Sequence, residues 1–194
     1  DDNQTLYVGL EGAASARKLN VVSQTATPQF SLALNNTIVG PVFPNDLAAV
    51  PGNPNSVAVS RSNRFSSPNT DGIAIYDNGV PRPNVANINT FFVAYSNTQD
   101  KLFSVGFSGG FDRLTADASG VQFQSNVAMI NGGDTRFDNG LVYASRGGVA
   151  DPNTGFMKGS FTGLDFFGDS IMTTDVPNGR AYFLATSGSS TTCV

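Results

Sequence analysis

The chain has 194 residues, 40% of them hydrophobic, and carries a formal net charge of −4 with no histidine at all. That length supports a well-packed core in one domain. Charged residues make up only 13%, no Lys/Arg cluster exceeds the pair Arg17-Lys18, and no run of eighteen apolar residues occurs. These facts exclude nucleic-acid binding by phosphate neutralisation and any membrane-spanning helix.

Fourteen Asp stand against a single Glu (Glu11), and only three Lys are present (Lys18, Lys101, Lys158). Glu and Lys favour helix, whereas Asp and Asn bond their own backbone in turns. With 21 Gly and 10 Pro, this predicts an all-β chain of strands joined by tight turns.

In chain order, residues 1–45 predict strands at Thr5–Leu10, Ser15–Val22 and Gln29–Leu34. The unit at 46–89 opens on the short apolar strand Leu47–Val50, whose small residues suit a crowded centre. It turns at Pro51-Gly52-Asn53-Pro54 into Ser56–Ser60, crosses a polar loop from Arg61 to Thr70, and continues in Gly72–Tyr76 to Asp77-Asn78-Gly79. Pro81 and Pro83 then confine the next segment to a sheet edge, because neither donates to a ladder.

The unit at 90–128 predicts strands at Phe91–Tyr95, Lys101–Phe107, Asp112–Ala116 and Val121–Gln124. That at 129–168 predicts Thr135–Phe137, Leu141–Ser145 and Gly155–Phe161, with a loop from Gly147 to Asn153. The last, 169–194, predicts Ser170–Thr174 and Arg180–Thr186 and reads as incomplete.

One turn-and-strand phrase recurs, most plainly at Asp138-Asn139-Gly140-Leu141-Val142-Tyr143 and Pro177-Asn178-Gly179-Arg180-Ala181-Tyr182. Asn-Gly supplies the positive φ of a tight turn. Aligning Tyr7, Ala58, Phe103, Tyr143 and Tyr182 gives spacings of 51, 45, 40 and 39 residues, the period of propeller blades. The expectation is a β-propeller of four-stranded antiparallel blades, about four and a half of them. On this alignment the first unit lacks its inner strand and the last lacks its outer two.

The runs Leu47-Ala-Ala-Val-Pro-Gly-Asn-Pro-Asn-Ser-Val-Ala-Val-Ser-Arg, Gly72-Ile-Ala-Ile-Tyr-Asp-Asn-Gly-Val-Pro-Arg-Pro and Asn178-Gly-Arg-Ala-Tyr-Phe-Leu resemble the repeats of bacterial secreted YncE-like, seven-bladed β-propellers. The resemblance covers nearly the whole chain. It implies a partial ring, completed by a missing segment or another chain, in a secreted, cell-surface or periplasmic protein. It carries no catalytic residue to this sequence.

The absence of histidine removes Ser-His-Asp and Cys-His chemistry and the commonest transition-metal ligand. Acid–base work would fall to Asp, with Asp134 and Asp138, or Asp165 and Asp169, as the candidate neighbours; the same residues serve equally as Asx-turn formers. Calcium is the metal whose oxygen ligands are plentiful, from Asp1, Asp2 and Asn3 or from Asp138 and Asn139, though no Asp-x-Asp-x-Asp-Gly loop is present. The pairs Phe91-Phe92 and Phe166-Phe167 would point to opposite faces on strands. Arg61, Arg64, Arg82, Arg146 and Arg180 fall in loops and form either a mildly basic rim or a solvated surface. Asn3-Gln4-Thr5 and Asn35-Asn36-Thr37 match glycosylation sequons. Cys193 alone excludes an internal disulfide; it is a buried or unpaired thiol, or pairs with another chain.

The function expected is a non-catalytic extracellular binding or scaffold module whose loops contact a protein or glycan partner, without a required cofactor. The alternatives are a hydrolase or lactonase with an Asp/Asn-held metal at the ring centre, and a structural repeat of a surface fibre.

Overall fold

A computed structural model describes residues 3–33, 40–106, 109–130, 132–162, 170–187 and 190–193; for 127–129 and from 185 onward the backbone alone is described. Five antiparallel sheets follow one another along the chain. Sheet 1 holds β1 (Thr5–Leu10), β2 (Ser15–Asn20), β3 (Thr25–Ala26) and β4 (Phe30–Ser31), with β3 and β4 sharing the far edge of β2. Sheet 2 is the meander β5 (Phe43–Val50), β6 (Asn53–Ser62), β7 (Thr70–Asp77) and β8 (Val80–Pro81). Sheet 3 is β9 (Ala94–Tyr95), β10 (Lys101–Val105), β11 (Gly110–Asp117) and β12 (Gly120–Met129). Sheet 4 is β13 (Thr135–Asp138), β14 (Leu141–Ala144), β15 (Gly148–Ala150) and β16 (Met157–Ser160); sheet 5 is β17 (Ser170–Asp175), β18 (Arg180–Ser187) and β19 (Ser190–Cys193). The described residues include two 3₁₀ turns and no α-helix.

The sheets stack face to face, and strand alternation divides each between two neighbours. In β6, Val57 and Val59 pack toward sheet 1 with Ala16 and Leu32, while Ala58 between them packs toward sheet 3. In β7, Ala74 and Tyr76 join the first cluster and Ile73 and Ile75 the second. Sheet 3 repeats the division: Leu102 and Leu114 face sheet 2, whereas Phe103, Val105 and Phe111 meet Val142 and Ala144 of sheet 4. Burying one such side chain contributes about 1.5–3 kcal/mol, so the inter-sheet layers are the main source of stability. The arrangement is propeller-like but not closed.

Segment 84–86 runs between sheets 2 and 3, bridging Ile73 through Ala86 and Gly120 through Asn84. Gly120 (φ +129°) is required there, because a Cβ would stand 2.1 Å from the Asn84 carbonyl oxygen. Asn78-Gly79 and Asn139-Gly140 both take positive φ, at +48° and +85° and at +46° and +78°, and reverse the chain as their sequences require. Asn178-Gly179 differs: Val176–Asn178 forms a 3₁₀ turn closed by Gly179.

Several expectations need correction. Tyr7 lies on the first strand of its sheet, whereas Ala58, Phe103, Tyr143 and Tyr182 lie on the second strands of theirs. Sheet 1 therefore has its first strand, and the residue comparable to Ala58 is nearer Lys18, which pairs with Tyr7. Lys18 precedes Ala58 by 40 positions where Tyr7 precedes it by 51. An aromatic does not mark strand order, because strand propensity is the same for every strand of a sheet. Among the described residues sheet 5 has three strands, not two, since β19 pairs with β18. The loop expected from Gly147 to Asn153 contains β15, three buried residues too short to show an alternating pattern. Strand β9 begins at Ala94 and not at Phe91.

Candidate functional site

The first strands of sheets 2 to 5 converge on a cavity with two lobes that share Asp46, Asp134 and Arg136. The larger lobe, about 530 Å³, is also lined by Phe91, Phe92, Arg146 and Ser170. The smaller, about 360 Å³, extends along Ala48, Val93 and Asn97. Its position follows from the stacking: apolar residues are consumed between the sheets, leaving the edges of the first strands for polar side chains.

Asp46 sits on β5 at an irregularity between Pro44 and Asp46, where β5 has one residue more than β6 opposite it. Such a bulge re-aims a side chain. Its Oδ1 accepts the Leu47 N–H at 2.9 Å and its Oδ2 the Val93 N–H at 2.9 Å, which ties sheet 2 to the segment leading into β9. Burial pushes the Asp46 carboxyl up to about 6; the two N–H donors and Arg136 oppose the rise, and the charge of Asp134 adds to it. Burial likewise raises Asp134, with Arg136 opposing.

Arg136 is shared among partners. Its Nε donates to the Met172 carbonyl of sheet 5 at 3.1 Å, and its Nη2 stands 3.6 Å from the Asp134 carboxylate. Arg146 makes no hydrogen bond or ion pair with any described residue, and its aliphatic stem passes over Gly133. Ser170 donates to Ser145 at 3.1 Å. The cavity thus presents two acceptors and a shared cation where its lobes meet, with two aromatic rings and a second cation in the larger lobe.

The expected neighbours Asp134 and Asp138 part company. Asp134 faces the cavity, whereas Asp138 accepts the Thr174 hydroxyl at 2.5 Å between sheets 4 and 5. Distance along the strand explains the separation, since Asp134 stands just before β13 and Asp138 closes it at the other end. Asp138 is followed by Asn139 of the tight turn, and among the described residues no three acidic or cysteine side chains gather to hold a metal ion. Asp1, Asp2, Asp165, Asp169, Phe166, Phe167 and the sequon at Asn35 lie outside the described residues; Asn3 is exposed. Phe91 and Phe92 lie off the strand on which alternation would send them to opposite faces. Preceding it, both line the larger lobe.

The arginines form no common rim. Arg61 lies within β6, 1% exposed, and donates to the carbonyls of Leu32 and Asp71 at 3.3 and 2.5 Å while pairing with the Asp71 carboxylate at 3.1 Å. It is a buried staple between sheets 1 and 2. Arg82 forks onto Asp77, with Nε–Oδ2 at 2.8 Å and Nη2–Oδ1 at 2.9 Å, and reaches the Asp117 carbonyl of sheet 3 at 2.7 Å. That fork, helped by the Ser56 hydroxyl, holds Asp77 below the usual carboxylate range. Arg64 pairs with Glu11 and covers the Phe43 ring at 4.6 Å, and Arg180 is exposed opposite Asp175. Of these five, Arg146 alone lines the cavity among the described residues, beside Arg136.

The sequence marked neither Arg136 nor Asp46 as functional. The one signal for Asp46 is a charge at the head of a strand of small apolar residues, a pattern equally suited to a turn. No protein-family model matches this chain, and no curated protein is significantly similar to it.

Proposed function

We propose that the chain is a non-catalytic, extracellular binding module of propeller-like build, with the cavity between its first strands as a glycan site. The observation that carries this reading is the convergence of Phe91 and Phe92 with Asp134 and Arg146 on one lobe of about 530 Å³. Sugar rings present an apolar C–H face that packs on aromatic rings, and hydroxyls that need acceptors and donors held in fixed directions. The stacked sheets supply that rigidity. Secretion and kinship with YncE-like propellers remain part of the same proposal, supported by the strand-and-turn phrases quoted above.

A glycan array probed with the full chain tests the reading. Binding to a defined set of glycans, weakened at least about tenfold by Phe92→Ala, is expected; no binding to any glycan sinks it. The meeting of the Asp46 and Asp134 carboxylates where the two lobes join is what favours a hydrolase. Release of reducing ends from a bound oligosaccharide, abolished in Asp134→Asn, would replace the binding reading with that one.

A further inference from the structure

The glycan reading leaves the charge of the ligand open, and the larger lobe bears on it. Arg136 is already engaged by the Met172 carbonyl and Asp134. Arg146, half-buried on the same wall, makes no hydrogen bond or ion pair with any described residue. A guanidinium held partly out of water with its donors unused is suited to a carboxylate, which it can engage through two parallel N–H bonds. The aromatic pair stands in the same lobe, and Asp134 lies where the two lobes meet.

We propose that this cavity binds a uronate, a six-membered sugar ring bearing a carboxylate, with the carboxylate on Arg146, the ring face on Phe91 and Phe92, and ring hydroxyls donating to Asp134. The inference rests on the glycan reading. A neutral sugar leaves Arg146 without a charged partner, and a fatty acid brings no donors for Asp134. A uronate satisfies all three on one ring. The carboxylate could belong to a free sugar acid or to a unit of a polysaccharide, and the two share this chemistry.

The test is calorimetric titration of the full chain at pH 6 with galacturonic acid, trigalacturonate, maltotriose and phenylalanine. Binding of trigalacturonate, with or without the monomer, and none of maltotriose supports the proposal; binding of both acids points to the free acid, and of the trimer alone to a polysaccharide. Arg146→Ala should weaken that binding at least about tenfold and Arg146→Lys less, with unchanged melting temperatures. Should Arg146→Ala unfold, Arg146→Lys against wild type is the comparison that decides, with equal affinities counting against the proposal. Equal binding of maltotriose and trigalacturonate, or an undiminished Arg146→Ala, overturns the uronate and leaves the glycan reading standing. Binding of phenylalanine alone, or of nothing, overturns both.

Discussion

The layer between sheets 2 and 3 and the layer between sheets 4 and 5 are built on one plan with very different investment. Eleven buried apolar residues, from Val50 and Ile73 to Leu114 and Val121, fill the first, and the Arg82 fork and segment 84–86 tie its outer side. Among the described residues the second has Met172 and Phe183 at its centre, with Tyr143 and Ala181 beside them. The other face of sheet 5 presents Ile171, Tyr182 and Leu184 at 61%, 42% and 39% exposure. An interior sheet buries both faces and a terminal one buries one, so stability should decline toward sheet 5 although its own strand pairings are regular.

The largest effect is expected where the well-filled region is stapled. Arg61→Ala removes the buried partner of the Asp71 carboxylate and of the Leu32 carbonyl, and should cost about 4 kcal/mol, read from urea unfolding. Leu102→Ala, in the layer between sheets 2 and 3, should cost about 3 kcal/mol, and Met172→Ala, in the thin layer, about 2 kcal/mol. Equal costs would mean that the two layers are equally well packed. Hydrogen exchange sharpens the same contrast: the amides of β17 and β18 should exchange faster than those of β6 and β7.

Arg82→Ala should cost about 1 kcal/mol at pH 7, because the Asp77 fork is partly open to water. Asp77 is depressed in the folded chain, so its contribution is present above the ordinary carboxylate value and is lost as pH falls through its lowered one. The variant should therefore show a shallower loss of stability toward acid. An unchanged acid limb would mean that the fork contributes nothing.

A further pH-dependent effect concerns the cavity. Asp46 goes from an ordinary 3.8 unfolded to about 6 folded, so the folded state holds the proton longer and stability falls as pH rises from about 4 to about 6. Asp46→Asn should flatten that fall without abolishing it, since Asp112 and Asp134 are also raised by burial. Urea midpoints at pH 4, 5, 6 and 7 measure it; an identical slope in the variant would dismiss burial of Asp46 as the cause.

Much of the architecture was legible before any coordinates. The scarcity of Glu and Lys, and turns such as Asn78-Gly79 and Asn139-Gly140, determined an all-β chain of short antiparallel meanders, because propensity and turn chemistry act over a few residues. Strand alternation also separates Ala58 from Val57 and Val59, although which neighbouring sheet each meets is decided only when the sheets stack. Tertiary structure alone decided that Arg61 is a buried staple and not a loop cation, that Tyr7 stands on a first strand, and that Phe91 and Phe92 share one lobe. It likewise brought Asp46 to Asp134 across 88 residues of sequence. Local rules are blind to such meetings, since a side chain's partners across a sheet stack are set by how whole sheets pack and not by the residues beside it in the chain.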